Sequence, residues 1–401
     1  MTDYPKIKIK KGREGSARFR HPWVFSGAVV RVPKDLFDGD PVIVEDYEGR
    51  VLGTGTYSAR SQISVRLFAF EEALLDADFF RARIREADSR RRLSGLGPDT
   101  SDTGYRVVFG ESDLLPGLVV DRYGDVLVFQ IATAGMEKLR PLVLKALEEL
   151  FRPRLIVERS DLHTRSEEGL LPRTGIAGGS DKKGEDEGLA AFTQLGLKFL
   201  SPTLTGQKTG FFLDQRDLRA AIARLSAGRS ALNLFSYSGA HGLFALAGGA
   251  KSVLNLDSSA PALEMCQEHA RMNGFPAESM ICEKADVFDW LTNPPQTRFE
   301  MVICDPPALI KSSKHMEAGL AAYRFLNRAA ISLLAPGGIL VTSSCSHHLT
   351  SADFAHILRQ TSVHEARPLH TLGFIGQAED HPVSLYFPEA AYLKSFVALA
   401  S

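Results

Sequence analysis

The stretch Ala231 to Asp257, ALNLFSYSGAHGLFALAGGAKSVLNLD, sets the reading of the chain. Leu232 to Phe235 is a short apolar run, Ser236, Tyr237, Ser238 and Gly239 break it, a small-residue helical pattern runs through Gly248, and a second apolar run ends on Asp257. That order reads as strand, glycine turn, helix, strand. Glycine lets the backbone approach a ligand, a helix N-terminus aims amides at polar groups, and an acid ending the next strand accepts from ribose hydroxyls. Gly239 and Asp257 are spaced close to the roughly 20 residues of a dinucleotide fingerprint. Yet G-x-G-x-x-G is absent. A single-glycine S-x-S-G turn has no cradle for a pyrophosphate and suits S-adenosyl-L-methionine better than NAD. Taken alone, the pattern also fits a plain βαβ crossover that binds nothing.

With 401 residues the chain exceeds one ordinary domain, and length alone points to about two or three. A content of 44% hydrophobic and 24% charged residues is that of globular domains. The cysteines, Cys266, Cys282, Cys304 and Cys345, form no CxxC pair, which fits a reducing cytoplasm. The opening MTDYPKIKIKKGREG is basic but has no apolar core behind it, so no secretory signal is expected. No apolar run approaches the roughly 20 residues of a membrane helix, so the expectation is a soluble, cytoplasmic protein with no membrane partner. A net charge of -1 does not advertise a nucleic-acid binder, and any such role must rest on local clusters.

Residues 6 to 70 read as short strands separated by Asp38-Gly39, Glu48-Gly49 and Gly53 to Gly55, a small β-barrel over residues 1–72. Lys6, Lys8, Lys10, Lys11, Arg13, Arg18 and Arg20 face only Glu14 there, as a lysine-guarded strand edge or a binding surface. RHPWVFSGAVV (Arg20 to Val30) and GDPVIVEDYEGRVLGTGTYSARSQISVRLF (Gly39 to Phe68) resemble the PUA module of certain bacterial ribosomal RNA methyltransferases. The resemblance implies binding of structured RNA, with Lys8, Lys10, Lys11, Arg18 and Arg20 as contacts.

From Asp76 to Leu93, Phe79, Phe80, Ile84, Ala87 and Leu93 recur at helical spacing, leaving the arginines Arg81 to Arg92 for a solvated face. Strand-like pieces and a helix near Met136 to Leu150 follow, an α+β middle domain over 73–190. Within it, RTGIAGGSDKKGEDEGL (173–189) is rich in glycine and charge and reads as a mobile insertion or long hairpin tip. Residues 191–211 read as a hairpin or linker, and 212–401 as a Rossmann-like domain with a mainly parallel sheet. Its further strands end near Asp286, at Asp305 and at Cys345, on the rim where open α/β sheets bind ligands.

Two stretches on that rim carry chemistry. In ICDPPALIKS (Ile303 to Ser312) an acid ends a strand and two prolines follow, Pro306 and Pro307. Prolines lack amide protons and fix the backbone, leaving carbonyls to accept from an amino-bearing base. Ala308 stands where amino-group methyltransferases place an aromatic ring, which argues against that chemistry. In SSCSHHLTSADF (Ser343 to Phe354), Cys345 follows the fifth strand, either as a nucleophile or as a small buried hydrophobe. Pyrimidine C5 methylation gives a reason for a thiol, because addition at C6 turns C5 into an enamine carbon. His347 or His348, if protonated, would lower the thiol pKa. Cys304 is the rival, but strand alternation turns it to the core if Asp305 faces the pocket. The cysteines and histidines lack zinc spacing, so no metal is expected.

GQKTGFFLDQRDLR, LNLFSYSGAHG, VLNLDSS, CDPP and SSCS, in this order behind the PUA-like start, resemble the bacterial PUA-containing class I 23S ribosomal RNA cytosine-5 methyltransferases over nearly the whole chain. The resemblance implies S-adenosyl-L-methionine held by Phe235, Ser236, Tyr237, Ser238, Gly239, Asp257, Ser258, Asp286, Asp305 and Gln215. It implies Cys345 as nucleophile with Asp305 on the target base, and Lys208, Arg216, Pro306 and Pro307 toward RNA. Ala308 and His241 depart from that pattern. The expected function is formation of 5-methylcytosine in 23S ribosomal RNA, with homodimerisation left open. The alternatives are an RNA methyltransferase acting on another atom without a covalent step, and a non-catalytic RNA-binding or assembly factor.

Overall fold

The computed structural model describes residues 2–181 and 188–401. They divide into two compact units. One comprises residues up to Gly196 with Leu200–Leu213 and Glu379–Ala390, and the other Leu197–Phe199, Asp214–Ala378 and Ala391–Ser401.

In the first unit the short runs of the N-terminal region bury their apolar faces by pairing. Lys6–Lys8, Trp23–Phe25, Pro41–Glu45, Val51–Tyr57 and Ile63–Ala69 make a five-stranded sheet in the order first, third, fourth, fifth, second. Beyond its edges, Lys10 N donates to the Ala28 carbonyl (2.8 Å) and Val30 N to that of Lys8 (2.9 Å), which closes the sheet into a barrel. Ile7, Ile9, Val24, Val42, Val44, Val65 and Leu67 fill it.

A second five-stranded sheet follows, with helices Ala77–Leu93 and Ala134–Phe151 sharing its core through Phe80, Ile84, Ala87, Met136, Leu139 and Val143. Three expectations are corrected here. Arg173–Gly178 is an edge strand antiparallel to Leu155–Ser160 and not an insertion tip, while residues 182–187 of that stretch lie outside the described residues. Leu93, expected on the apolar face, is 89% exposed. Arg91, expected in solvent, is buried: Nη1 and Nη2 donate to Asp113 at 2.7 Å each, and Nη2 to the Asp380 carbonyl at 2.9 Å. Asp380 also accepts the Arg106 amide on Oδ2 (2.9 Å), so a segment from near the C-terminus is tied into this unit. Leu189–Gln194 and Leu197–Pro202 form a two-stranded sheet of their own.

The second unit is an α/β sheet of seven strands. We label them β1 (Ser230–Leu234), β2 (Ser252–Asp257), β3 (Met280–Lys284), β4 (Phe299–Cys304), β5 (Leu334–Ser344), β6 (Leu369–Ile375) and β7 (Lys394–Ala400). The helices are α1 (Arg216–Leu225), α2 (Ala240–Ala247), α3 (Ala260–Met272), α4 (Val287–Thr292), α5 (Met316–Ser332) and α6 (Ser351–His364). The strand order is 3-2-1-4-5-7-6, with β1 to β5 parallel and β7 antiparallel to both its neighbours. The order reverses between β1 and β4, and such a switch point opens a crevice at the carboxyl ends of the strands. Among the described residues no helix is long and apolar enough to cross a membrane.

Candidate active site

The turn after β1 occupies that switch point. Phe235 (φ 59°) and Tyr237 (φ 47°) are left-handed without being glycine, and Gly239 (φ 75°) caps α2. Non-glycine residues in this region are held by their surroundings, and here the surroundings are visible. Asp257, ending β2, accepts the Tyr237 amide on Oδ2 (2.7 Å) and the Ser259 amide on Oδ1 (2.9 Å). His269 of α3, fully buried, donates from Nδ1 to the Ser238 carbonyl (3.0 Å). Below the turn lies Cys266, and a Cβ on Gly239 would stand 2.1 Å from its sulfur. Cys266 and His269 therefore shape a backbone turn. Among the described residues no group of three or more His, Cys, Asp or Glu is placed to hold a metal.

Asp305 follows β4 across the crevice. Gln215, just before α1, donates from Nε2 to Asp305 Oδ2 (2.9 Å), and His241 Nε2 lies 3.4 Å from the same oxygen. Both of these protein partners meet Oδ2. Burial holds His241 below its ordinary pKa against the pull of Asp305, so its imidazole is neutral. Gln215 Oε1, His241 Nδ1 and Ser236 Oγ are buried without a partner among the described residues. Buried polar atoms rarely go unpaired. Three such atoms around one glycine turn fit a polar ligand there.

Beyond β5 stands Cys345, half-buried and in no disulfide. Cys304 lies in the hydrophobic core, where burial pushes its thiol far up, so it is no competing nucleophile. His347 is held below its ordinary pKa by desolvation and by Lys394. Lys394 of β7 donates from Nζ to the Ser346 carbonyl at 2.8 Å.

Comparison with known proteins fits this arrangement. A PUA-like domain model matches residues 7–70, and a model of S-adenosylmethionine-dependent methyltransferases matches residues 183–398. "Ribosomal RNA large subunit methyltransferase I" of Aeromonas hydrophila is 39% identical over 397 residues, covering 98% of this chain and 99% of the relative. The chain belongs to that family. Its Aeromonas salmonicida and Klebsiella pneumoniae members are 38% and 35% identical over 401 residues each. Among solved structures, a Streptococcus mutans protein described as a SAM-dependent methyltransferase superposes with a TM-score of 0.82 at 20% identity, over 98% of this chain and all of that one. A methyltransferase structure complexed with SAH gives 0.83 at the same identity and coverage. At that identity the likeness concerns the fold.

As a member of this family the protein depends on S-adenosylmethionine, and the unpaired atoms of the turn fit that ligand. The second unit gathers Gln215, Arg216, Phe235 to Gly239, Asp257, Ser258, Asp286, Asp305, Pro306, Pro307 and Cys345. Asp286 caps α4, accepting the Phe288 (2.8 Å) and Asp289 (3.1 Å) amides on Oδ1. Pro307 and Ser258 are exposed, whereas Pro306 and Arg216 are buried. Lys8, Lys10, Lys11, Arg18, Arg20 and Lys208 belong to the first unit. Several are already engaged there: Arg18 pairs with Asp46 (3.0 Å), Lys10 donates to the Gly27 carbonyl (3.0 Å), and Lys208 lies 4.4 Å from the Phe212 ring centroid. Sequence reasoning missed His269 and Lys394. For His269 the signal was its place on the helical stripe of Ala262, Cys266 and Ala270, whereas Lys394 carried none.

Proposed function

We propose that the protein methylates cytosine C5 in 23S ribosomal RNA through a covalent adduct on Cys345. The observation that carries this reading is one thiol and one half-satisfied carboxylate on adjacent strand ends of a sheet whose first turn fits the methyl donor. Names of relatives near 39% identity supply the ribosomal RNA, and the PUA-like module with its basic residues supplies a surface for it.

S-adenosylmethionine supplies an electrophilic methyl group. The turn residues Phe235 to Gly239, with Asp257, Ser258 and Asp286, hold it, and Gln215 and Asp305 flank it. The Cys345 thiolate gives an electron pair to C6, forming the S–C6 bond and raising electron density at C5, which then takes the methyl group as the methyl–sulfonium bond breaks and leaves its electron pair on that sulfur as a thioether. Loss of the C5 proton to water returns its electron pair to the ring, restores the C5–C6 double bond and expels the thiolate. Asp305 Oδ1 accepts from the cytosine amino group. Uracil would set a carbonyl against that carboxylate, and a mismatched polar partner in such a site is strongly rejected.

Cys345→Ala is expected to abolish methylation, a loss of at least about a thousandfold, as removal of a covalent nucleophile does. The readout is 5-methylcytosine in ribosomal RNA from a deletion strain carrying the variant. Full methylation by the variant would exclude the covalent route. Wild type forming no denaturant-stable adduct with RNA containing 5-fluorocytidine, whose fluorine cannot leave as a cation, would exclude it independently.

A further inference from the structure

Lys394 is a buried cation that the steps above do not use. It is 7% exposed and opens β7, directly across the antiparallel ladder from Ser344. Its Nζ bonds the Ser346 carbonyl, which holds the ammonium against the residue that follows Cys345. No carboxylate pairs with it among the described residues. A buried charge normally requires a partner. Burial lowers the Lys394 pKa, and the one group that favours its charged form is Cys345.

The other titratable groups around the thiol do not take this place. Tyr323 of α5 bonds Ser346 Oγ (3.0 Å) and accepts from Ser344 Oγ (2.8 Å), and burial raises its pKa, which keeps it neutral. His347 is held toward neutrality, with its ring 5.7 Å from that of Tyr392, and His348 is exposed. Tyr392 itself donates to Asp214 (2.5 Å).

We propose that Lys394 is the positioning residue of the Cys345 nucleophile, an ammonium fixed beside the sulfur so that the thiol ionises near neutral pH. This rests on the covalent reading above. Cys345 loses its proton to water, Lys394 keeps its own, and the sulfur electron pair passes to C6 and returns at elimination. The cation moves no proton. It stabilises the anion that exists before addition and after release.

The test uses the full-length protein without RNA or methyl donor. Iodoacetamide labelling of Cys345 is followed by peptide mass spectrometry as a function of pH. Lys394→Met is expected to slow labelling near pH 7 about tenfold, the consequence of a one-unit rise in thiol pKa, and Lys394→Arg to restore most of the rate. Superposable profiles for wild type and Lys394→Met would overturn the proposal. So would a wild-type midpoint at or above that of free cysteine, a result independent of whether Lys394→Met folds. Binding of S-adenosylmethionine by the variant reports that the fold is intact. A low wild-type midpoint that rises in Lys394→Met, with no fluorocytidine adduct, would overturn the covalent reading: Lys394 would then ionise a thiol that is not the nucleophile.

Discussion

His241 is a titratable ring in a buried helical position, and its burial has a pH signature. Its pKa in the folded protein is depressed, while in the unfolded chain it is near 6.5. The unfolded state therefore takes up the proton first as pH falls. Stability from this residue is complete above the unfolded value and declines as pH drops from there toward the folded value. Urea unfolding at pH 7.5 and 5.5 is expected to show lower stability at the acid end, with a smaller difference in His241→Gln. His347, shifted the same way, keeps the difference from vanishing. At Gly239 the expectation is steric: a Cβ meets Cys266 at 2.1 Å in a left-handed backbone. Gly239→Ala should lose about 1 to 3 kcal/mol by thermal unfolding and weaken S-adenosylmethionine binding in calorimetry.

Among the elements, α4 depends most on one side chain. It spans Val287–Thr292 and Asp286 satisfies two of its free amides. Asp286→Ala should cost about 1 kcal/mol of stability, whereas Asp286→Asn, an equally good cap, should cost little. Equal melting temperatures for the two would show that capping contributes nothing. The elements also show what could be read beforehand. Parallel strands such as β2 and β4 were legible because they are largely apolar runs closed by an acid, as at Asp257 and Asp305. Arg173–Gly178 was not, because its glycines oppose strand formation and its conformation comes from pairing with Leu155–Ser160. Lys394 was hidden for a related reason. A lysine in a strand ordinarily marks a solvated edge, and only the placement of β7 between β5 and β6 buries it. The Gln215 to Asp305 bond joins residues 90 apart, which no local pattern reports.

At the scale of the molecule, both units draw on the last residues of the chain. Glu379–Ala390 belongs to the first unit, with Asp380 bonded to Arg91 and Arg106, and Ala391–Ser401 supplies β7 to the second. A chain ended at Ala378 would lose the partner of the Arg106 amide and an interior strand at once. It is expected to show no cooperative melt by circular dichroism, and a cooperative melt with retained S-adenosylmethionine binding would contradict this. The same threading bears on how the protein is made. Until residues 379–401 have been made, neither half has its full complement of strands and anchors. A nascent chain therefore cannot finish one domain and then the other, and completes both only once residues 379–401 have left the ribosome's exit tunnel.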